Sequence, residues 1–234
     1  MKRWILAVLA TCGLAACAGA GNEPTTNAEV WQEWALPGKA ELAAVGRNPY
    51  FILEPGYQLL LETKDGDRLI ISVLNETKVV DGVETRVVEE HETEGGKLLE
   101  ISRNYFAIAP GTRDVYYFGE DVDMYKDGKV TGHAGSWLAG VNGAKAGLMF
   151  PGSPKAGQKF MQEMAAKVAM DRCEIVSTSE SVTVPAGKLT GCMKVADSSA
   201  LEPGPPEVKI YAPEVGLAVE ENFRLVKYGV GVAK

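Results

Sequence analysis

RLIISVLNETKVVDGVETRVVEEHETEGGKLLEISRNYFAI, residues 68–108, decides the fold. It holds three runs rich in β-branched and aromatic residues: Arg68 to Leu74, Val83 to Glu90 and Leu98 to Ile108. Asp81-Gly82 separates the first pair and Glu94-Gly95-Gly96 the second. Asp-Gly between such runs is the strongest short hairpin signal, because the turns that match strand twist need positive φ at both central residues. Working outward, the same punctuation continues at Lys64-Asp65-Gly66-Asp67, Pro110-Gly111, Asp127-Gly128, Pro185-Ala186-Gly187 and Pro203-Gly204. Tyr57 to Glu62 and Val115 to Phe118 are further strand-like runs. Short strands at regular spacing predict an antiparallel all-β domain over residues 48–234.

The chain also repeats itself loosely. Pro55-Gly56 through Glu62 parallels Ala156-Gly157 through Glu163, and Ala109-Pro110 with Thr112 to Tyr116 parallels Ala212-Pro213 with Val215 to Val219. Asn75 to Val79 with Gly82 parallels Thr178 to Val182 with Gly187. Two similar halves, residues 55–120 and 156–221, suggest one curved antiparallel sheet or incomplete β-barrel, with a β-sandwich as the alternative. Phe223 to Tyr228 then covers an edge. Residues 119–157 join the halves and are dense in glycine. That density excludes a regular helix and suits an irregular connection in which backbone approaches backbone or ligand.

Lys2 and Arg3, the short apolar run Trp4 to Leu14, and Leu14-Ala15-Ala16-Cys17 resemble a bacterial lipoprotein signal peptide with its lipobox. The resemblance implies removal of residues 1–16 and lipidation of Cys17. Ala18 in place of an aspartate implies the outer membrane, facing the periplasm. Several acyl chains make such an anchor effectively permanent. Residues 17–27 are small and polar and read as a flexible tether. Residues 28–47 form a lead-in, helical or irregular, in which Ala28 to Ala35 can make two helical turns and Lys39 to Gly46 another.

The formal net charge is −7 at pH 7, and loss of Lys2 and Arg3 makes the mature chain more acidic. This argues against nucleic acid and for a neutral or cationic ligand. Once Cys12 leaves and Cys17 is lipidated, Cys173 and Cys192 remain in an oxidising compartment. They either bridge or stay free, since a turn at Pro185-Ala186-Gly187 does not set them directly opposite each other.

Val182-Thr183-Val184-Pro185-Ala186-Gly187-Lys188-Leu189 and Tyr211-Ala212-Pro213-Glu214-Val215-Gly216-Leu217 resemble motifs of bacterial envelope proteins with large curved antiparallel sheets. With Asn48-Pro49-Tyr50-Phe51, Tyr117 to Asp121 and Gly135-Ser136-Trp137, the mature domain resembles an uncharacterised family of secreted and lipid-anchored envelope proteins. The resemblance implies an address and a fold, and no activity.

Glu120, Asp121, Asp123 and Asp127 are hard oxygen ligands at a density that suits Ca²⁺. Their spacing is not that of an EF-hand, and a solvated acidic hairpin reads the same way. His91, beside Glu89, lacks the second histidine of a zinc-peptidase pattern. His133 near Ser136 invites a hydrolase reading, but Ser136 sits in no Gly-x-Ser-x-Gly elbow and nothing fixes a third partner. Trp137, Leu138, Leu148, Met149 and Phe150 either seal the core or rim an apolar pocket. No catalytic set emerges, and no cofactor other than Ca²⁺ is suggested. The expectation is a non-enzymatic binding or accessory protein for an apolar, lipid-like or cationic ligand, with Tyr117, Glu120, Asp121, His133 and Trp137 as site candidates. An assembly partner in an envelope complex is the alternative, and an envelope hydrolase using His133 the third reading.

Overall fold

The computed structural model describes residues 31–202 and 204–232. The expected signal peptide over residues 1–16, Cys17 and the expected tether over residues 17–27 lie outside the described residues, as do residues 28–30 of the lead-in. Trp31 to Ala35 is extended, not helical. Gln32 makes a parallel bridge to Phe160, Trp34 meets the Phe160 ring edge-on at 6.4 Å, and the Trp31 ring lies under Lys159 and Arg172. A helix this short is marginal alone, and these tryptophans gain more by packing on the sheet. Among the described residues of the lead-in the helical element is a 3-10 turn at Lys39–Glu41.

A small hairpin, β1 (Gly46–Asn48) and β2 (Phe51–Leu53), follows. The first half of the domain then supplies β3 (Tyr57–Glu62), β4 (Arg68–Val80), β5 (Val83–Glu94), β6 (Lys97–Ile108) and β7 (Val115–Lys126). The connection adds β8 (Lys129–Gly132), β9 (Trp137–Leu138) and β10 (Lys145–Phe150). The second half supplies β11 (Lys159–Met161), β12 (Glu163–Met164), β13 (Asp171–Val184), β14 (Gly187–Ser199), β15 (Glu207–Ala212) and β16 (Gly216–Glu220), before β17 (Phe223–Val230).

Thirteen of these strands form one antiparallel, nearly closed barrel in the order β11-β13-β14-β15-β16-β17-β3-β4-β5-β6-β7-β10-β12. This is the incomplete barrel, not the sandwich. β17 joins the halves by pairing with both β16 and β3. The opposite seam is drawn together by one short segment. Its first part, β11, pairs with β13, and its second part, β12, pairs with β10. Between them the Gln162 amide donates to the Asp171 carbonyl at 2.8 Å.

The halves repeat the same sequence of strand, hairpin, hairpin, turn and strand. Gly56 donates to the Val73 carbonyl and Gly157 to the Ile175 carbonyl, both at 2.7 Å. Both glycines sit at nearly the same positive φ, 86° and 85°.

The connection is less irregular than its composition suggests, since β7 continues to Lys126 and β10 is a full strand. Its glycines serve close approach. A Cβ on Gly119 would overlap the Trp137 carbonyl, and one on Gly147 the Gln162 carbonyl. Bare backbone at these points lets β9 and the seam lie against β7 and β10.

The β1–β2 hairpin plugs one end of the barrel. Asn48 Nδ2 donates to the Arg113 and Pro151 carbonyls at 2.8 and 3.0 Å. The Tyr50 hydroxyl donates to Gly191 O at 3.0 Å, and the Glu214 amide to Pro49 O at 2.7 Å. Arg86, fully within the wall, donates to the Ala44, Leu74 and Glu76 carbonyls. It satisfies backbone that a bulge between Val73 and Thr77 takes out of the ladder.

Candidate functional site: the barrel cavity

The plug does not fill the barrel. A cavity of about 410 Å³ remains inside it. Its floor is a chain of aromatic rings. Phe51 meets Phe106 at 4.8 Å and Phe106 stacks on Tyr117 at 4.6 Å, while Phe150, in the core behind the lining, meets Phe51 at 6.3 Å and Tyr211 at 4.6 Å. Leu59, Ile71, Val88 and Leu217 add apolar wall. The other end is rimmed by Ala134 and Gly135 before β9, by Glu202, Gly204 and Pro205 before β15, and by Glu221 after β16.

Toward that rim the lining turns acidic. Ten carboxylate side chains line the cavity against a single described cation, Lys209. Strand alternation puts them there. On β15, Glu207, Lys209 and Tyr211 face inward, while Val208 is exposed. Lys209 stands opposite Glu220 on β16, and Asp197 on β14 stands opposite Glu207. Lys209 Nζ therefore lies 2.9 Å from Glu220, 3.6 Å from Asp197 and 3.7 Å from Glu207. Burial pulls its pKa down, but these carboxylates overcome burial and hold Lys209 well above its ordinary range. Glu220 is held below its usual range by Lys209, against burial. Asp197 is raised by burial despite Lys209.

Glu90 lies across the cavity on β5, between Ile71 of β4 and Ser102 of β6. Its Oε2 is buried with no hydrogen-bond partner, as is Asp197 Oδ1. Burial, reinforced by the charge on Glu220, pushes Glu90 up to about 8, with Lys209 opposing.

The candidate residues of the connection separate. Tyr117 and Glu120 line the cavity. The Tyr117 hydroxyl donates to Asn104 Oδ1 at 2.5 Å, and burial raises it well above its usual range. Trp137 is buried edge-on to Tyr117 at 5.5 Å, in the core beside the cavity. Asp121 faces outward, accepting from Lys78 Nζ at 2.7 Å and from the Tyr105 hydroxyl at 2.5 Å. Asp123 pairs with Arg103 at 3.2 Å and His133 at 3.0 Å.

Alternation thus sends Glu120 inward and Asp121 and Asp123 outward, where cations already neutralise them. Asp127 occupies the β7–β8 turn at φ 51°. The four do not assemble into a Ca²⁺ cluster, and among the described residues no group of three or more His, Cys, Asp or Glu is placed to hold a metal ion.

His133 is exposed, with Nδ1 2.8 Å from the Val122 carbonyl, and the Ser136 hydroxyl accepts from the Val122 amide at 2.8 Å. Among the described residues the two side chains share no hydrogen bond. His91 joins Glu89 at 3.0 Å, and Glu89 also pairs with Arg103 at 2.9 Å. Cys173 and Cys192 are free and buried, because the register sets Cys173 opposite Asp197 and Cys192 opposite Glu180.

Lys209, Glu90, Asp197, Glu207 and Glu220 are the residues that reading the sequence missed. The available signal was Glu207-Val208-Lys209-Ile210-Tyr211, a strand whose alternating polar face has to go somewhere.

No protein-family model matches the chain, and neither a curated protein nor a solved structure matches it.

Proposed function

We propose that this is a lipid-anchored protein of the bacterial cell envelope that binds a small, mainly apolar molecule inside its barrel without transforming it. One observation carries the reading: a cavity of about 410 Å³ with an aromatic floor and an open rim, in a barrel already plugged at the other end. Ligand pockets of roughly 300–1,000 Å³, apolar with a few convergent polar groups, are the usual form of a small-molecule site. The paired seam supports binding over a scaffold role, since an assembly partner built on strand addition needs an open edge. The separation of His133 from the Ser136 hydroxyl supports binding over hydrolysis. Cys17 anchors the chain to the outer membrane, with the tether carrying the barrel clear of the bilayer.

Titration with the neutral fluorophore N-phenyl-1-naphthylamine tests the cavity. The expected result is saturable fluorescence at one probe per chain, abolished by Leu59→Trp, which fills the wall. A wild-type signal that never saturates, or one that Leu59→Trp leaves intact, defeats the binding reading. Metabolic labelling with an alkynyl fatty acid, lost on Cys17→Ala, tests the anchor.

A further inference from the structure

We infer that the molecule held in the barrel carries a positive charge: an apolar body with a protonated amine, the body on the aromatic floor and the amine among the rim carboxylates, with Glu90 or Asp197 as its acceptor. This rests on the reading of the barrel as a binding cavity and names the class of its ligand.

Three features converge. The lining is divided, with rings and aliphatic walls at the plugged end and carboxylates toward the rim. The one described cation is already taken, because Lys209 sits among Glu220, Asp197 and Glu207 within 3.7 Å. Two carboxylate oxygens remain buried without a hydrogen-bond partner, Glu90 Oε2 and Asp197 Oδ1, both on residues that line the cavity. A buried acceptor left unmade is costly, and an ammonium group offers three donors and a compensating charge. An anionic head group would meet the carboxylates with Lys209 already engaged, and a neutral hydroxyl could donate one hydrogen bond but would bring no compensating charge. The lack of a metal-ready cluster among the described residues turns the site toward an organic cation.

Proton linkage follows from the same geometry. Glu90 faces Glu220, Lys209 and Glu100, and burial pushes it up to about 8. Near neutrality it is mostly protonated, so an ammonium that pairs with its carboxylate displaces a proton. Affinity for an amine therefore rises with pH toward that value and then levels.

The described sheet and core lie within residues 31–232, so the soluble chain from Ala18 keeps them and serves as the test protein. Octylammonium, octanol and octanoate share one apolar body and differ in charge. Each is titrated by displacement of N-phenyl-1-naphthylamine and by calorimetry in two buffers of different ionisation enthalpy.

Octylammonium is expected to bind about tenfold or more tighter than octanol, the worth of one charge-assisted hydrogen bond, with octanoate weakest. Its binding enthalpy should depend on the buffer, reporting the released proton. Glu90→Gln and, independently, Asp197→Asn should bring octylammonium toward octanol while leaving octanol unchanged, which also shows that the variants are folded. Equal binding of octylammonium and octanol overturns the charge assignment and leaves the cavity reading standing. Tightest binding by octanoate overturns it in favour of Lys209 as the recognising group. Binding of none of the three defeats the cavity reading itself.

Discussion

Replacing Lys209 with methionine is the sharpest test of how the barrel interior is held together. The substitution keeps volume and removes the one described cation among the ten cavity carboxylates. The Glu220 contact at 2.9 Å is worth about 6 kcal/mol of attraction at an effective dielectric of about 20. Desolvation of both partners offsets much of this, so the net cost of orphaning a buried partner is about 3–5 kcal/mol. A domain of ordinary stability, about 5–15 kcal/mol, survives that loss.

The pH dependence carries the diagnosis. In the wild type Glu220 is depressed by Lys209, so its contribution is present above its unfolded pKa and lost as pH falls through its folded value. In Lys209→Met that depression is gone, and Glu220, Asp197 and Glu207 can escape burial only by binding protons. The variant's deficit is therefore largest near about pH 8 and shrinks by half or more near about pH 5. Urea unfolding of both proteins at the two pH values measures it. Adding Glu220→Gln to Lys209→Met should recover part of the loss through the coupling of neighbouring groups. A deficit under about 1 kcal/mol near pH 8, or one equal at both pH values, refutes the assignment of Lys209 as the charge that holds these strands together.

Gly119→Ala should cost about 2 kcal/mol or more, because the residue sits at φ 134° and its Cβ would overlap the Trp137 carbonyl. Gly111→Ala, with open space around it, should stay within about 0.5 kcal/mol in the same thermal melts. Arg86→Leu leaves the Ala44, Leu74 and Glu76 carbonyls without their donor and should cost about 3 kcal/mol. Arg86→Lys should return part of it, and denaturant midpoints read both. Cys173 and Cys192 should give identical masses after alkylation with and without reductant. Both should react only on unfolding, since both are buried and burial raises each thiol's pKa.

The architecture was legible because antiparallel hairpins write themselves locally. Asp81-Gly82 and Glu94-Gly95-Gly96 fall at the β4–β5 and β5–β6 turns. What escaped was strand length and the closing seam. Arg68 to Leu74 read as a complete strand, yet β4 runs to Val80. Thr77 to Val80 continue the ladder beyond a bulge, against Val83 to Arg86. Ala156-Gly157 through Glu163 parallels Pro55-Gly56 through Glu62, which predicts a strand there but not its place in the seam. Lys159 to Met164 becomes a seam because two edges already in place supply partners on either side.

The site was legible only at Tyr117 and Glu120. The acidic run drew attention as a cluster, but a strand disperses neighbouring side chains to opposite faces, so Asp121 and Asp123 went to Lys78 and Arg103. The true cluster gathers residues from β5, β14, β15 and β16, more than one hundred positions apart at the extremes. Each is an ordinary polar position on an ordinary alternating strand, and only the curvature of the sheet decides that the polar face turns inward.

That inversion is the physical content of the molecule. An antiparallel sheet folded for stability alone turns its apolar face to the core, as the plugged end of this barrel does with Phe51, Phe106 and Phe150. At the other end the same strands carry Glu90, Asp197, Glu207 and Glu220 into a space that burial makes unfavourable for charge. Lys209 neutralises part of that charge. Burial, reinforced by Glu220 and opposed by Lys209, pushes Glu90 up to about 8. On the proposal that an organic cation binds beside Glu90, its binding would displace the Glu90 proton, and local acidity would then act as a lever on release.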